Sequence, residues 1–139
     1  MAGIITFTMI KPSAVKAGFT GKIIAKIEEG GYTIKALKKV FLTKEQAGHF
    51  YEMHIGRPFY EDLTTFMSSG PIYAAILEKE NAVESFRKFI GATDPSKAEE
   101  GTIRKLYGFN LGENAVHGSD SDESANRESS FFFSDLERF

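Results

Sequence analysis

The chain has 139 residues, and its 17 basic and 19 acidic side chains leave a net charge of −2. No global positive field is available to collect nucleic acid, so an anionic ligand must be gripped by local Lys and Arg. The absence of cysteine excludes disulfides, thiolate zinc sites and thiol nucleophiles together.

Hydrophobic residues at 42% and charged residues at 26% fit one globular core, read here as a single domain over residues 1–139. The opening Met1-Ala2-Gly3-Ile4-Ile5 lacks a basic region followed by a long apolar run. No exported or membrane-spanning segment is therefore expected, and the cytoplasm is the expected location.

Residues 4–10 alternate, with Ile5, Phe7 and Met9 on one face and Thr6 and Thr8 on the other, which predicts a strand ended by Lys11-Pro12. Thr20 is placed to cap a helix carrying Ile23, Ile24 and Ile27 on one side and stopped by Gly30-Gly31. A second strand is expected over 32–42, with Tyr32, Ile34, Ala36, Val40 and Leu42 on one face and Lys38 breaking the pattern. Thr43 and Gln46 form a capping-box pair ahead of Ala47, Phe50, Tyr51 and His54 at helical spacing. A further helix is expected from Pro58 to Met67.

Ile72-Tyr73-Ala74-Ala75-Ile76-Leu77 is apolar on both faces, which places the strand 71–78 in the middle of a sheet. Asn81 with Glu84 then caps a helix bearing Val83, Phe86, Phe89 and Ile90, closed by Gly91. Residues 92–113 show no sustained period and contain Asp94-Pro95, Gly101, Gly108 and Gly112, so they read as a long loop, a feature that in compact domains is usually functional or disordered. A short strand leads to His117, and Asp120 with Glu123 is placed to cap the last helix. This order fits an α+β fold: a ferredoxin-like antiparallel sheet (βαββαβ) covered by helices, with the long loop before the last strand.

His117 ends a short apolar run. A nucleophilic imidazole needs one ring nitrogen free and the other held by a carboxylate that fixes the tautomer. Glu128 on the following helix can be that carboxylate or a solvated helix residue, and spacing alone balances the two. Lys11, Arg87 and Arg104 come from three chain regions and would suit a polyphosphate if they converge. Each alone reads as a surface charge.

Other patterns carry no chemistry. Gly18-Phe19-Thr20-Gly21-Lys22-Ile23 is too short for a P-loop and has Ile where Ser or Thr is needed. His49 and His54, with Glu52 between them, match no helical zinc spacing and read as helix-face histidines. The acidic run Asp120-Ser121-Asp122-Glu123 reads as helix capping, and Phe131-Phe132-Phe133 as packing or a subunit contact.

Taken in order, Thr8-Met9-Ile10-Lys11-Pro12, Arg57-Pro58-Phe59, Ser69-Gly70-Pro71, Gly101-Thr102-Ile103-Arg104 and Asn114-Ala115-Val116-His117-Gly118-Ser119-Asp120-Ser121 resemble the nucleoside diphosphate kinase family over almost the whole chain. The resemblance implies transfer of a γ-phosphate from a nucleoside triphosphate, mainly ATP, to a nucleoside diphosphate through a phosphohistidine, with ping-pong kinetics. His117 matches the nucleophile, Glu128 the carboxylate that orients it, and Ser119 a supporting hydroxyl. Lys11 matches the lysine at phosphate and ribose, Tyr51 the tyrosine that supports that lysine, and Asn114 the asparagine at the ribose. Arg87, Thr93 and Arg104 match the phosphate ligands, and Phe59 the aromatic under the base, bordered by Leu63 and Leu111.

The resemblance also implies Mg²⁺ carried by the nucleotide phosphates without a protein ligand set. It implies a homo-oligomer, tetramer or hexamer built from dimers, without membrane or specific nucleic-acid partners. The chain departs from the family pattern at Ser13, where Asp is usual, at Lys105-Leu106-Tyr107, where an Asp is common, and in ending at Phe139. Ser13 is expected to cap the next turn. Two competing readings are a ferredoxin-like binding module that holds nucleotides or nucleic acid for regulation without turnover, and a histidine phosphocarrier served by a protein partner. The second would need neither Phe59 nor the ribose contacts of Lys11 and Asn114.

Overall fold

In the computed structural model, which describes residues 3–139, strands β1 (Ile5–Ile10), β2 (Thr33–Val40), β3 (Ile72–Glu78) and β4 (Val116–Gly118) form one sheet in the order β2-β3-β1-β4. Every neighbouring pair is antiparallel. Strands β1 and β2 therefore run parallel with β3 between them, the split βαβ arrangement of a ferredoxin-like sheet. The doubly apolar β3 is central, as its sequence requires.

Alternation on β1 divides the core into two layers. Phe7 and Met9 face a cluster with Phe50 of α3 (Lys44–Phe50), Met67 of α4 (Tyr60–Met67) and Phe132 of α7 (Asp122–Phe132). Ile10 belongs to the opposite cluster, with Ala14 of α1 (Pro12–Lys16), Ile23 and Ile27 of α2 (Thr20–Glu29), Phe86 and Ile90 of α5 (Ala82–Ile90), and Ile103 of α6 (Ile103–Tyr107). Both faces of the sheet are thus covered by helices, and the apolar area each face removes from water drives the packing.

Several local expectations need correction. The inward residues of β2 do not share one face. Ile34 pairs with Leu77 and Ala36 with Ile76, so Lys35 is an extra residue in a β-bulge. The bulge sends Tyr32 and Ile34 to one core layer and Ala36, Val40 and Leu42 to the other. The released Lys35 carbonyl accepts the Phe139 N–H at 2.6 Å, while Lys35 Nζ donates to the Phe139 carbonyl oxygen at 2.9 Å.

Helix starts differ in the same local way. The Thr43–Gln46 capping box forms with both of its bonds, at 3.1 and 2.9 Å. By contrast, Phe19 and not Thr20 stands at the cap of α2, and Asn81 caps α5 from a left-handed conformation with no side-chain bond to the backbone. Ser121, not Asp120, caps α7 by accepting from the Ser124 N–H at 3.0 Å. Helix α4 begins at Tyr60, two residues beyond Pro58. Ser13 lies inside α1 with an unpartnered hydroxyl rather than capping it, because Pro12 already supplies the first helical position. The stretch 92–113 is not structureless: it holds a 3₁₀ turn at Pro95–Lys97 and α6, the latter capped by Thr102.

Candidate active site

Strand β4 brings His117 beside Met9 of β1, and the turn before it is set by Ala115. Ala115 has φ +75°, and the Val116 N–H donates to the Asn114 carbonyl at 3.0 Å, a γ-turn with positive φ. Such a turn is rare and strained for a residue with a side chain, and strain of this kind gathers at functional sites. It points Asn114 and His117 to neighbouring positions: the Ala115 carbonyl accepts the Lys11 N–H at 2.8 Å, closing β1 onto the turn.

His117 is held from behind. Its Nε2 lies 2.9 Å from Glu128 Oε1, and the ring packs edge-on against Phe7 and Phe50. Ser119 donates to the same Glu128 oxygen at 2.7 Å and accepts the Phe7 N–H at 3.2 Å. An ionised carboxylate accepts only, so Nε2 carries the proton and Nδ1 keeps its lone pair. The imidazole is thereby oriented with one nitrogen committed and the other available.

In front of His117 lies a cleft of about 830 Å³ lined by Lys11, Phe59, Leu63, Arg87, Thr93, Arg104, Leu111 and Asn114 together with His117 itself. Residues named from five separate stretches of sequence therefore converge. Lys11 Nζ donates to Asn114 Oδ1 at 2.7 Å, and Asn114 Nδ2 donates to the Thr93 carbonyl at 2.9 Å, tying β1, the 92–113 segment and the β4 approach together. Arg104 donates to the Gly91 carbonyl at 3.2 Å and the Val116 carbonyl at 2.9 Å, and Arg87 to the Gly118 carbonyl at 3.4 Å.

The electrostatics of this floor ask for an anion. Burial brings Lys11 down to about 7, and the nearby Arg104 acts in the same direction. Burial, and then Arg87, brings Arg104 down to about 10. Among the described residues none of the three cations is ion-paired with a carboxylate. Asp120 lies close enough to Arg87 to feel its charge but forms no ion pair with it, and three partly desolvated cations gathered this way mark a candidate binding arrangement.

One expected contact is absent. Tyr51 does not reach Lys11, whose amine is taken by Asn114 and the Gly112 carbonyl. It lines a smaller pocket behind His117 with Glu128, and burial, then the Glu128 charge, raises its hydroxyl well above the ordinary range. His54 leaves the helix face assigned to it: it sits in the 3₁₀ turn Glu52–His54, stacks on Tyr51 and meets the Phe59 ring edge at 5.1 Å. Asp62, Phe66 and Glu113 also line the cleft and were missed. The signal was present for two of them, since Phe59, Asp62, Leu63 and Phe66 stand at i, i+3, i+4 and i+7 along α4 and its cap. No group of three His, Asp or Glu side chains among the described residues forms a metal cluster.

Fold and site together define the class, an α+β enzyme domain with an oriented histidine at the floor of a cationic, aromatic-rimmed cleft. A family model described as Nucleoside diphosphate kinase matches residues 5–138. The chain is 59% identical over 132 residues to a nucleoside diphosphate kinase of Persephonella marina, spanning 95% of this chain and 94% of that one. It is 58% identical to one of Flavobacterium psychrophilum, with 96% of each covered. Among solved structures it superposes on the Aquifex aeolicus nucleoside diphosphate kinase with a TM-score of 0.95 at 45% identity, covering 99% of this chain and 100% of that chain. A halophilic nucleoside diphosphate kinase from Halobacterium salinarum, solved in complex with CDP, follows at 0.93 and 37%, covering 99% and 91%. The chain belongs to the nucleoside diphosphate kinase family.

Proposed function

We propose that this chain transfers the γ-phosphoryl group of a nucleoside triphosphate, mainly ATP, to a nucleoside diphosphate by a double displacement on His117. The observation that carries the reading is the engagement of Nε2 by Glu128 at 2.9 Å beside a cleft lined by Lys11, Arg87 and Arg104, none of which forms a salt bridge among the described residues. The Nδ1 lone pair attacks the γ-phosphorus, the bond to the bridging β-phosphate oxygen breaks, and the diphosphate leaves with that electron pair. Glu128 balances the imidazolium charge through the Nε2 proton, and Ser119 holds that carboxylate in place. A second diphosphate then occupies the same site, and its terminal oxygen takes the phosphoryl group from Nδ1.

Positioning and charge neutralisation carry most of phosphoryl transfer. Arg87, Arg104 and Thr93 hold the phosphates, Lys11 and Asn114 the sugar end, and Phe59 the base, with Leu63 and Leu111 beside it. Stacking on Phe59 reads no hydrogen-bond edge, so many bases are accepted. Magnesium fits this site as a nucleotide complex, since the ion keeps several waters and binds readily through substrate phosphates. When bound, it neutralises charge on the phosphate oxygens.

The protein acts in the cytoplasm as a homo-oligomer, a tetramer or hexamer of dimers. The edge strand β2, with exposed Leu37 in it and Phe41 just after it, offers surface for association, and native mass measurement gives the copy number. No helix among the described residues is long and apolar enough to cross a membrane.

Incubation with γ-labelled ATP tests the reaction. Acid-labile, base-stable label on His117 that leaves as GTP or CTP on addition of GDP or CDP is expected, with both steps lost in His117→Ala. A wild-type protein that takes no label refutes the reading, and label passed only to another protein makes the chain a phosphocarrier.

A further inference from the structure

Behind His117, a small pocket of about 210 Å³ is bordered by a cation that the nucleotide cleft does not use, Arg127 of α7. Tyr51, His54, Asp120, Ser124 and Glu128 line the same pocket. We infer that Arg127, in the phosphotransfer reading on which this rests, is a positioning residue: its charge holds the second oxygen of Glu128, so that the first stays on His117 while the phosphoryl group is transferred.

Glu128 is buried, and both of its hydrogen bonds fall on one oxygen. Oε1 meets His117 Nε2 at 2.9 Å and Ser119 Oγ at 2.7 Å, whereas Oε2 takes no hydrogen bond among the described residues. The terminal torsion of a glutamate is soft, so bonds to one oxygen alone do not fix the plane of the carboxylate. Arg127 Nη2 lies 3.8 Å from Oε2, and it is the one Lys or Arg group within ion-pair distance of Glu128 among the described residues. Tyr51 cannot balance the charge. Burial, then the Glu128 charge, holds its hydroxyl protonated and neutral.

The guanidinium is itself held in place. Its Nη1 donates to the carbonyl of Phe50, the last residue of α3, at 3.4 Å, where the helix C-terminus favours a cation. Its Cζ lies 5.6 Å from the centre of the Phe50 ring, which also meets the His117 ring edge-on. Nη2, by contrast, is buried with no hydrogen bond among the described residues. A buried donor left unpaired is costly, and its nearness to a carboxylate oxygen that is also unbonded gives it a purpose. Arg127 also opposes the positive charge that forms on His117. It approaches the carboxylate at the oxygen His117 does not use, so the orientation of Glu128 outweighs that repulsion.

Rapid-quench phosphorylation of His117 by ATP tests this in Arg127→Met, which keeps an apolar stem on Phe50 and removes the charge. The rate at saturating ATP is expected to fall by about threefold to tenfold. The ATP concentration giving half-maximal rate should be unchanged, because Arg127 lies outside the nucleotide cleft. Arg127→Lys restores the charge and should recover a rate within about twofold of the wild type. In the Glu128→Gln background, where no carboxylate charge remains to be held, Arg127→Met should change the rate by less than about twofold. A wild-type rate in Arg127→Met, an Arg127→Lys rate no higher than that of Arg127→Met, or the same loss in the Glu128→Gln background overturns the inference and leaves Arg127 a packing residue on Phe50. Circular dichroism melts verify that each variant is folded, and Arg127→Gln replaces Arg127→Met under the same criteria if the latter does not fold. Failure of wild-type His117 to take label would instead overturn the phosphotransfer reading itself, so the two failures are distinct.

Discussion

Lys11 Nζ and Asn114 Oδ1 lie 2.7 Å apart in the buried floor of the cleft, a neutral acceptor serving a cation that burial and Arg104 hold down to about 7. A neutral amide orients the amine without neutralising it, so the charge is left for a ligand. Bound phosphate favours the protonated amine and raises its proton affinity again. As pH rises above about 7 the free protein progressively loses this proton while the complex keeps it, so nucleotide binding takes up a proton. Calorimetry at pH 8 in two buffers of different ionisation enthalpy should show uptake approaching about one proton per nucleotide, with affinity falling up to about tenfold per pH unit above pH 7. Lys11→Met should abolish the uptake. No uptake in the wild type would mean that the lysine stays charged in the free cleft.

Ser119 serves two partners at once, and its loss should separate stability from chemistry. Ser119→Ala leaves the buried Phe7 N–H unpaired and frees the Glu128 oxygen shared with His117. Urea unfolding should show a loss of about 1–3 kcal/mol, and rapid-quench phosphorylation of His117 by ATP a rate lower by about tenfold. Glu128→Gln keeps the shape but removes the charge that balances the imidazolium. Its phosphorylation rate should fall by about 10²–10³-fold. A Glu128→Gln rate close to that of the wild type would reduce Glu128 to a packing role.

The parts of this architecture visible in sequence are those whose partners are local. The Thr43–Gln46 box is complete within four residues, and β3 announces its central place because both its faces are apolar. The bulge at Lys35 is set by pairing with β3, a strand far away in sequence, so alternation alone carried Tyr32 and Ile34 to the wrong layer. Asp120 and Ser121 are both good caps, and only the extended conformation of Ser121, φ −158° and ψ 164°, decides between them.

The cleft follows the same division. His117 and its neighbours form one continuous stretch, yet Lys11, Arg87 and Arg104 meet only through tertiary folding, and no periodicity encodes their approach. Their identity came from resemblance to a family, and the distances came from the fold. Tyr51 illustrates the limit. A role carried over by position placed it on Lys11, while the packing of α3 against α7 puts it beside Glu128.

Arg104 ties two pieces of backbone together with one guanidinium. It reaches the Gly91 carbonyl after α5 and the Val116 carbonyl in β4 while lining the cleft. A lysine retains the charge but not the planar fork that spans both carbonyls. Arg104→Lys should therefore lower kcat/KM for ATP by about 10²-fold and increase hydrogen exchange of amides in 92–113. A variant with lowered activity but unchanged exchange would restrict the residue to phosphate contact.

Gly91 makes that Arg104 contact possible. Its φ of +96° lies where side chains are disfavoured, and a Cβ there would stand 2.6 Å from Thr102 Oγ1 and 3.2 Å from Ala98 Cβ. Thr102 cannot retreat freely, since its hydroxyl caps α6 by accepting the Lys105 N–H and donates to the Glu99 carbonyl at 2.7 Å. Gly91→Ala must either adopt a strained φ or rotate the peptide and withdraw the carbonyl from Arg104. Either route costs about 1–3 kcal/mol in urea unfolding. The second also raises KM for ATP, because Arg104 is then released from its orientation. Gly91→Ala with wild-type stability would show that the segment between α5 and α6 relaxes without resistance and that the glycine is not required there.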